Sequence, residues 1–94
     1  MLTTKQRAKL RSMANTIDPI VSIGKGGITD NIIKQFDDAL EARELIKCII
    51  QKGSDFTARE ACGEIAEKVN AEPVQVIGNK FVLYRAAKEP KIAL

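Results

Sequence analysis

Six residues, Leu45-Ile46-Lys47-Cys48-Ile49-Ile50, limit the folds open to this chain more than any other stretch. Isoleucine dominates the run, Gly53-Ser54-Asp55 bounds it, and helical patterns flank it, so it reads as a strand between two helices. Strands that alternate with helices connect by right-handed crossovers and run parallel in one sheet. The preceding helix is predicted to be capped by Thr29 or Asp30 and to end near Ala42. Its residues Ile28, Ile32, Ile33, Phe36, Ala39 and Leu40 fall within about 140° of arc, a core-facing stripe. The following helix is predicted from Thr57 to Val69, with Thr57 and Glu60 at capping-box spacing. Ala58, Ala61, Cys62, Ile65, Ala66 and Val69 form its inward stripe, and Glu60, Glu64 and Glu67 lie on the wet face.

A first helix is predicted from Thr4 to Ala14, with Thr3 and Gln6 as a second capping box. Leu2, Leu10, Met13 and Ile17 share one of its faces, and Asp18-Pro19 stops it because proline disfavours a helical residue before it. Ile20 to Ile23 is a short β-type run. Val74 to Ile77, a Gly78-Asn79 turn and Lys80 to Tyr84 make a closing hairpin. A two-residue turn pairs Val76 with Phe81, Val74 with Leu83 and Gln75 with Val82, which makes one hairpin face wholly apolar. The order is αβαβαββ. It predicts a two-layer α/β domain with a four-stranded mixed sheet, three strands parallel and the last antiparallel. Helices two and three are expected on one sheet face. Helix one is placed on the other, over Leu45, Ile49 and Ile77.

Ninety-four residues, 45% hydrophobic and 29% charged, suit one folded domain over 1–94. No apolar run approaches the roughly 20 residues of a membrane span, and the first residues lack the apolar centre of a secretory signal. The chain has no histidine, which excludes Ser-His triads, histidine general acid/base chemistry and histidine-ligated metals. Cys48 and Cys62 are too far apart for a CxxC site and read as small core residues. No cofactor or metal is expected, and a reduced, cytoplasmic, monomeric protein is.

Charge is distributed unevenly. Lys5, Arg7, Lys9, Arg11 and Lys25 against Asp18 give residues 1–27 a balance of +4. Residues 28–79 carry six basic and ten acidic side chains, a balance of −4. Lys80, Arg85, Lys88 and Lys91 against Glu89 give residues 80–94 a balance of +3. Two basic ends around an acidic middle make a directional field suited to steering a polyanion. The plain alternative is that charge fluctuates between segments of any small protein.

Gly24-Lys25-Gly26-Gly27 lies between a strand and the first turn of a helix. Glycines let another chain approach the backbone closely, and the unpaired N–H groups of a helix start favour phosphate. The same glycines could simply make a tight turn. Neither GxxxxGK[ST] nor GxGxxG is present, so P-loop and dinucleotide readings fail. In KH modules a GxxG loop joins two helices, whereas here the segment before it is β-like. Lys5, Arg7, Lys9 and Arg11 span two turns of helix one, either as a binding face or as solvated flanks of the apolar stripe. Tyr84-Arg85 could stack on a base or end a strand. Asp37-Asp38 reads as a solvated surface, and the 4% aromatic content argues against extensive base stacking.

Taken together, Thr4-Lys5-Gln6-Arg7 with Leu10-Arg11, Pro19-Ile20-Val21-Ser22-Ile23-Gly24-Lys25-Gly26-Gly27-Ile28-Thr29, Glu44-Leu45-Ile46-Lys47, Val74-Gln75-Val76-Ile77-Gly78, Val82-Leu83-Tyr84-Arg85 and Lys88-Glu89-Pro90-Lys91-Ile92 make a series of blocks. In order and spacing, that series resembles the CRM domain in its bacterial stand-alone form, the YhbY family. The resemblance covers about the full length. It implies a domain like the C-terminal domain of translation initiation factor three, with no catalytic residues. It also implies RNA binding, in bacterial members associated with precursors of the large ribosomal subunit, with the glycine loop in contact with RNA. The candidate RNA-binding set is Gly24, Lys25, Gly26, Gly27, Lys5, Arg7, Lys9, Arg11, Lys47 and Arg85. The chain departs from the usual Leu-Ile-Lys-Val-Lys strand at Cys48 and Ile49, and Ile49 removes a cation from the outer strand face.

Three functions from different classes follow. The first is a non-enzymatic RNA-binding module in ribosome assembly, with no DNA or membrane partner. The second is a small protein that binds a phosphorylated metabolite at the glycine loop. The third is a protein-interaction adaptor that uses helix one or the hairpin edge.

Overall fold

A computed structural model describes residues 2–94. Its elements are α1 (Thr4–Ala14), β1 (Val21–Ile23), α2 (Asp30–Arg43), β2 (Leu45–Ile50), α3 (Ala58–Val69), β3 (Glu72–Ile77) and β4 (Lys80–Tyr84). The caps that set the helix starts are those the sequence predicts. Thr3 and Gln6 close a capping box on α1, Thr57 and Glu60 close one on α3, and the Thr29 hydroxyl accepts from the Ile32 N–H at the start of α2.

The sheet order is β1-β2-β4-β3, with β1 parallel to β2 and β4 antiparallel to both its neighbours. Strands β1, β2 and β3 therefore point one way, as the crossovers require, but β3 is not beside β2. The composition of the hairpin explains the order. Phe81, Val82, Leu83 and Tyr84 are all buried, so β4 is apolar on both faces and takes a central position. Strand β3 contains Pro73, which has no N–H to give a ladder, and the exposed Val76 and Ile77, so it takes the edge.

The hairpin register departs from the expected one at a single place. Val76 faces Phe81 and Gln75 faces Val82, but the next pair is Pro73 with Leu83, so Val74 is an extra residue in a bulge. The expected pairing of Val74 with Leu83 does not form, and the apolar residues are not gathered on one hairpin face. Val74 turns instead to the side of Val82 and Tyr84, while Leu83 stays in the core on the opposite side.

Two cores result. The larger lies between the sheet and α2/α3; Ile46, Cys48, Phe81 and Leu83 meet Phe36, Leu40, Ala61 and Ile65 there. Phe36 and Phe81 stack with centroids 6.0 Å apart. Burying each ring contributes about 1.5–3 kcal/mol. The smaller core is on the other face, where Leu10 and Ala14 of α1 cover Leu45, Val74, Val82 and Tyr84. Leu45 is thus under α1 as expected. Ile77 is not, being 60% exposed, and Ile49 is half-buried. Helix α1 covers only the half of that face where β2 begins and leaves the other half open.

Candidate nucleic-acid interface

Strand directions bring three loops to one end of the sheet. Ile23 is beside Ile50 at the carboxyl ends of β1 and β2, and the Gln51 N–H donates to the Ile23 carbonyl. Lys80 lies opposite Ile49, and Asn79 bonds Ile50 twice, through its carbonyl and its side-chain amide. The loops Gly24–Gly27, Gln51–Ser54 and the Gly78-Asn79 turn therefore adjoin.

The glycine loop is a tight turn closed by the Gly27 N–H on the Gly24 carbonyl at 3.0 Å. Of its glycines only Gly27 has a positive φ, 73°, and a Cβ there would lie 3.3 Å from Phe56 Cε2. Gly24 passes under Gln51, whose Oε1 would be 2.8 Å from an added Cβ. Gly26 faces open space. Each glycine thus has its own reason: a backbone conformation, a close approach, and an unobstructed surface.

Lys25, Lys52 and Lys80 are exposed at this end, and none of them has an ion-pair partner among the described residues. Lys52 and Lys80 were not among the candidates, because only strand pairing brings them beside Lys25. The first turn of α2 also holds Asp30, a carboxylate that offsets part of the cationic field.

The other candidates are dispersed. Lys47 is half-buried on the α1 face and lines a groove of about 720 Å³ with Ile17, Ile20, Leu45 and Ile92. Lys5 and Arg11 are exposed on α1. Lys9 donates to the Ala93 carbonyl, which ties it to the C-terminal segment. Arg7 is half-buried, with its Nε buried and without a hydrogen-bond partner. Helical periodicity puts Arg7 and Arg11 on the flank away from Lys9.

Arg85 sits at the far end of the sheet, one strand length (about 17 Å) from the glycine loop. Its guanidinium meets the Asp37 carboxylate at 2.6 Å, the Val69 and Asp37 carbonyls at 3.0 Å each, and Glu41 at 3.7 Å. It ties β4 to the two helices. Lys88 and Lys91 are held at the same end, through their backbone N–H groups on Glu41 and Glu44. The basic C-terminal balance seen in the sequence is thus split, with Lys80 at the loop end and the rest beside acidic α2.

Glu44 is the residue that sequence reasoning passed over. It is fully buried at φ 66°, and its carboxylate accepts the backbone N–H groups of Ala87, Lys91 and Ile92. Burial raises its pKa, but those three donors and the Lys91 charge outweigh burial and hold it below the ordinary value.

Fold and loop end together define a small α/β domain that gathers a glycine turn and three unpaired lysines at the carboxyl ends of its parallel strands. The chain belongs to the CRS1 / YhbY (CRM) domain family, whose model matches residues 2–85. It is 44% identical over 91 residues to the Bacillus subtilis (strain 168) protein named "Probable RNA-binding protein YqeI", covering 97% of this chain and 95% of that one. It is 34% identical over 93 residues to a Haemophilus influenzae protein named "RNA-binding protein", covering 99% and 94%. The solution structure of the Staphylococcus aureus protein SAV1595 matches with a TM-score of 0.73 and 50% identity, covering 97% of this chain and 95% of that one.

Proposed function

We propose that this chain binds RNA at the loop end of its sheet, as a non-enzymatic, monomeric, cytoplasmic factor. The observation that carries the reading is the convergence of the glycine turn with Lys25, Lys52 and Lys80, all exposed and unpaired. The turn offers backbone to a phosphate at Gly26, and the lysines supply the field that draws a polyanion. The relatives' names support RNA as the polymer bound. Lys5 and Arg11 form a separate basic surface on α1, over the half of the sheet where β2 begins, whereas Arg85 contributes to the fold.

Ribosomal RNA in large-subunit precursors is the target we infer, on the family resemblance of the sequence blocks. Crosslinking to RNA in cells followed by sequencing tests it. Enrichment of large-subunit precursor sequences supports the inference, and an even spread over cellular RNA rejects it.

A further inference from the structure

Beside the glycine turn is a cleft of about 600 Å³ between the β2–α3 loop and the hairpin turn, lined by Ile50, Gln51, Phe56, Ala58 and Asn79 among others. We propose that this cleft receives one unpaired nucleobase of the RNA whose backbone lies on the glycine turn. The proposal rests on the RNA-binding reading above and adds to it a site for a base.

The geometry connects cleft and turn directly. Phe56 lines the cleft and approaches Gly27, while Gln51 lines it and overlies Gly24. A strand held at Gly26 therefore has the cleft as its nearest concavity. The floor is apolar, made by Ile50, Phe56 and Ala58, and the rim is polar. Asn79 donates one Nδ2 hydrogen to the Ile50 carbonyl at 3.3 Å, which fixes an amide that still has Oδ1 and a second N–H to offer. Gln51 is fixed beside it, donating its Nε2 to Ser22 Oγ at 3.1 Å with its Oε1 over Gly24. An apolar floor with a fixed amide beside it suits a flat ring with hydrogen-bonding edges.

The alternative occupant, a phosphate, is disfavoured by how α3 begins. Its capping box is closed in both directions, Glu60 accepting from the Thr57 N–H at 3.0 Å and Thr57 accepting from the Glu60 N–H at 3.2 Å. A carboxylate already stands at that helix start, and its pKa is lowered by the Thr57 backbone and side-chain bonds. At α2 no capping box closes, and the glycine turn precedes it. Lys52 also lines the cleft and Asp30 stands at the start of α2, so the filled capping box and the apolar floor, not net charge, sort the two positions, with phosphate at the turn and an uncharged base in the cleft.

The test follows backbone amides by NMR while octauridine, octaadenosine and octacytidine RNAs are added, and then an octamer with one abasic site moved along it. At least one intact octamer should shift two groups of amides: Lys25 to Gly27, and Lys52 to Ser54 with Asn79. An abasic site at one position should weaken binding about tenfold and withdraw only the second group of shifts. In Phe56→Leu, checked by melting to be folded, the intact and abasic octamers should bind alike. An RNA duplex, whose bases are paired, should move only the first group. The proposal is overturned if the octamers shift the first group alone, or if no abasic position matters. If no RNA moves either group, the RNA-binding reading fails and the cleft proposal with it.

Discussion

Glu44 Oε1 accepts the backbone N–H of Ile92 at 2.8 Å, a contact between the start of β2 and the end of the chain. Together with the bonds to Ala87 and Lys91, it makes one buried carboxylate the anchor of the segment after β4. Removing it leaves three backbone donors without their partner, that of Ala87 buried. Glu44→Ala should destabilise the protein by on the order of 3 kcal/mol and free residues 87–94. Chemical denaturation and hydrogen exchange of the Ala87 and Ile92 amides would show both effects. Unchanged exchange in Glu44→Ala would refute the anchor.

The same carboxylate gives a pH dependence of known sign. Its folded pKa lies below the ordinary 4.5, so its contribution is present above the unfolded pKa and is lost as pH falls through the folded one. Wild-type melting temperature should therefore drop more between about pH 5 and pH 3 than that of Glu44→Gln, which has no charge to lose at this position. Parallel curves for the two proteins would count against a charged Glu44.

The helices and strands were legible in the sequence because each local signal agreed with its neighbours. Thr3, Thr29 and Thr57 mark the helix starts, and the apolar stripe of α3 is buried residue for residue. What failed to read was set by pairing over distance. The bulge at Val74 depends on which neighbour β3 takes, and no period within 74–77 encodes it. The loop site is similar. Lys25 is conspicuous among glycines, but Lys52 and Lys80 join it only through strands whose order the sequence leaves open. Glu44 shows no outward signal, since an acidic residue after a helix looks like surface until residues 87–92 fold back on it.

The two cysteines should be inert in the native protein. Both are buried; burial, with the neighbouring Cys62, pushes the Cys48 thiol up to about 12, and burial pushes Cys62 to about 11. Thiolate is the reactive form, so alkylation at pH 8 should be slow and should accelerate on unfolding. Mass spectrometry with iodoacetamide, with and without denaturant, checks this, and rapid labelling of either thiol in the folded state would contradict it.

The glycine turn separates stability from binding. Gly27→Ala places a Cβ at positive φ and 3.3 Å from the Phe56 ring, which should cost about 1–2 kcal/mol of stability. Gly26→Ala meets nothing in the free protein, so its melting temperature should match the wild type. If RNA packs against the turn, Gly26→Val should still fold and yet bind several-fold more weakly. Full affinity in folded Gly26→Val would place the RNA elsewhere.

Salt dependence distinguishes a local patch from net charge. Replacing Lys25, Lys52 and Lys80 by Gln removes three cations, as does replacing Lys68, Lys88 and Arg43 by Gln. The first three stand at the loop end without ion-pair partners. Lys88 lies at the other end beside Glu41, Lys68 is in the last turn of α3 and Arg43 in the last turn of α2. A counterion is released for each phosphate neutralised, at about −0.7 in log K per log[salt] for single strands. The loop triple should therefore flatten the slope by up to about two units, whereas the far-end triple should leave it nearly unchanged. Arg85 is kept out of the second set because its bonds to Asp37 and the Val69 carbonyl hold the fold, and a melting change would confuse the comparison. Fluorescence anisotropy with a labelled single-stranded RNA from 50 to 300 mM salt would give both slopes. Equal flattening by the two triples would mean that binding follows net charge, and that the loop end has no special part in it.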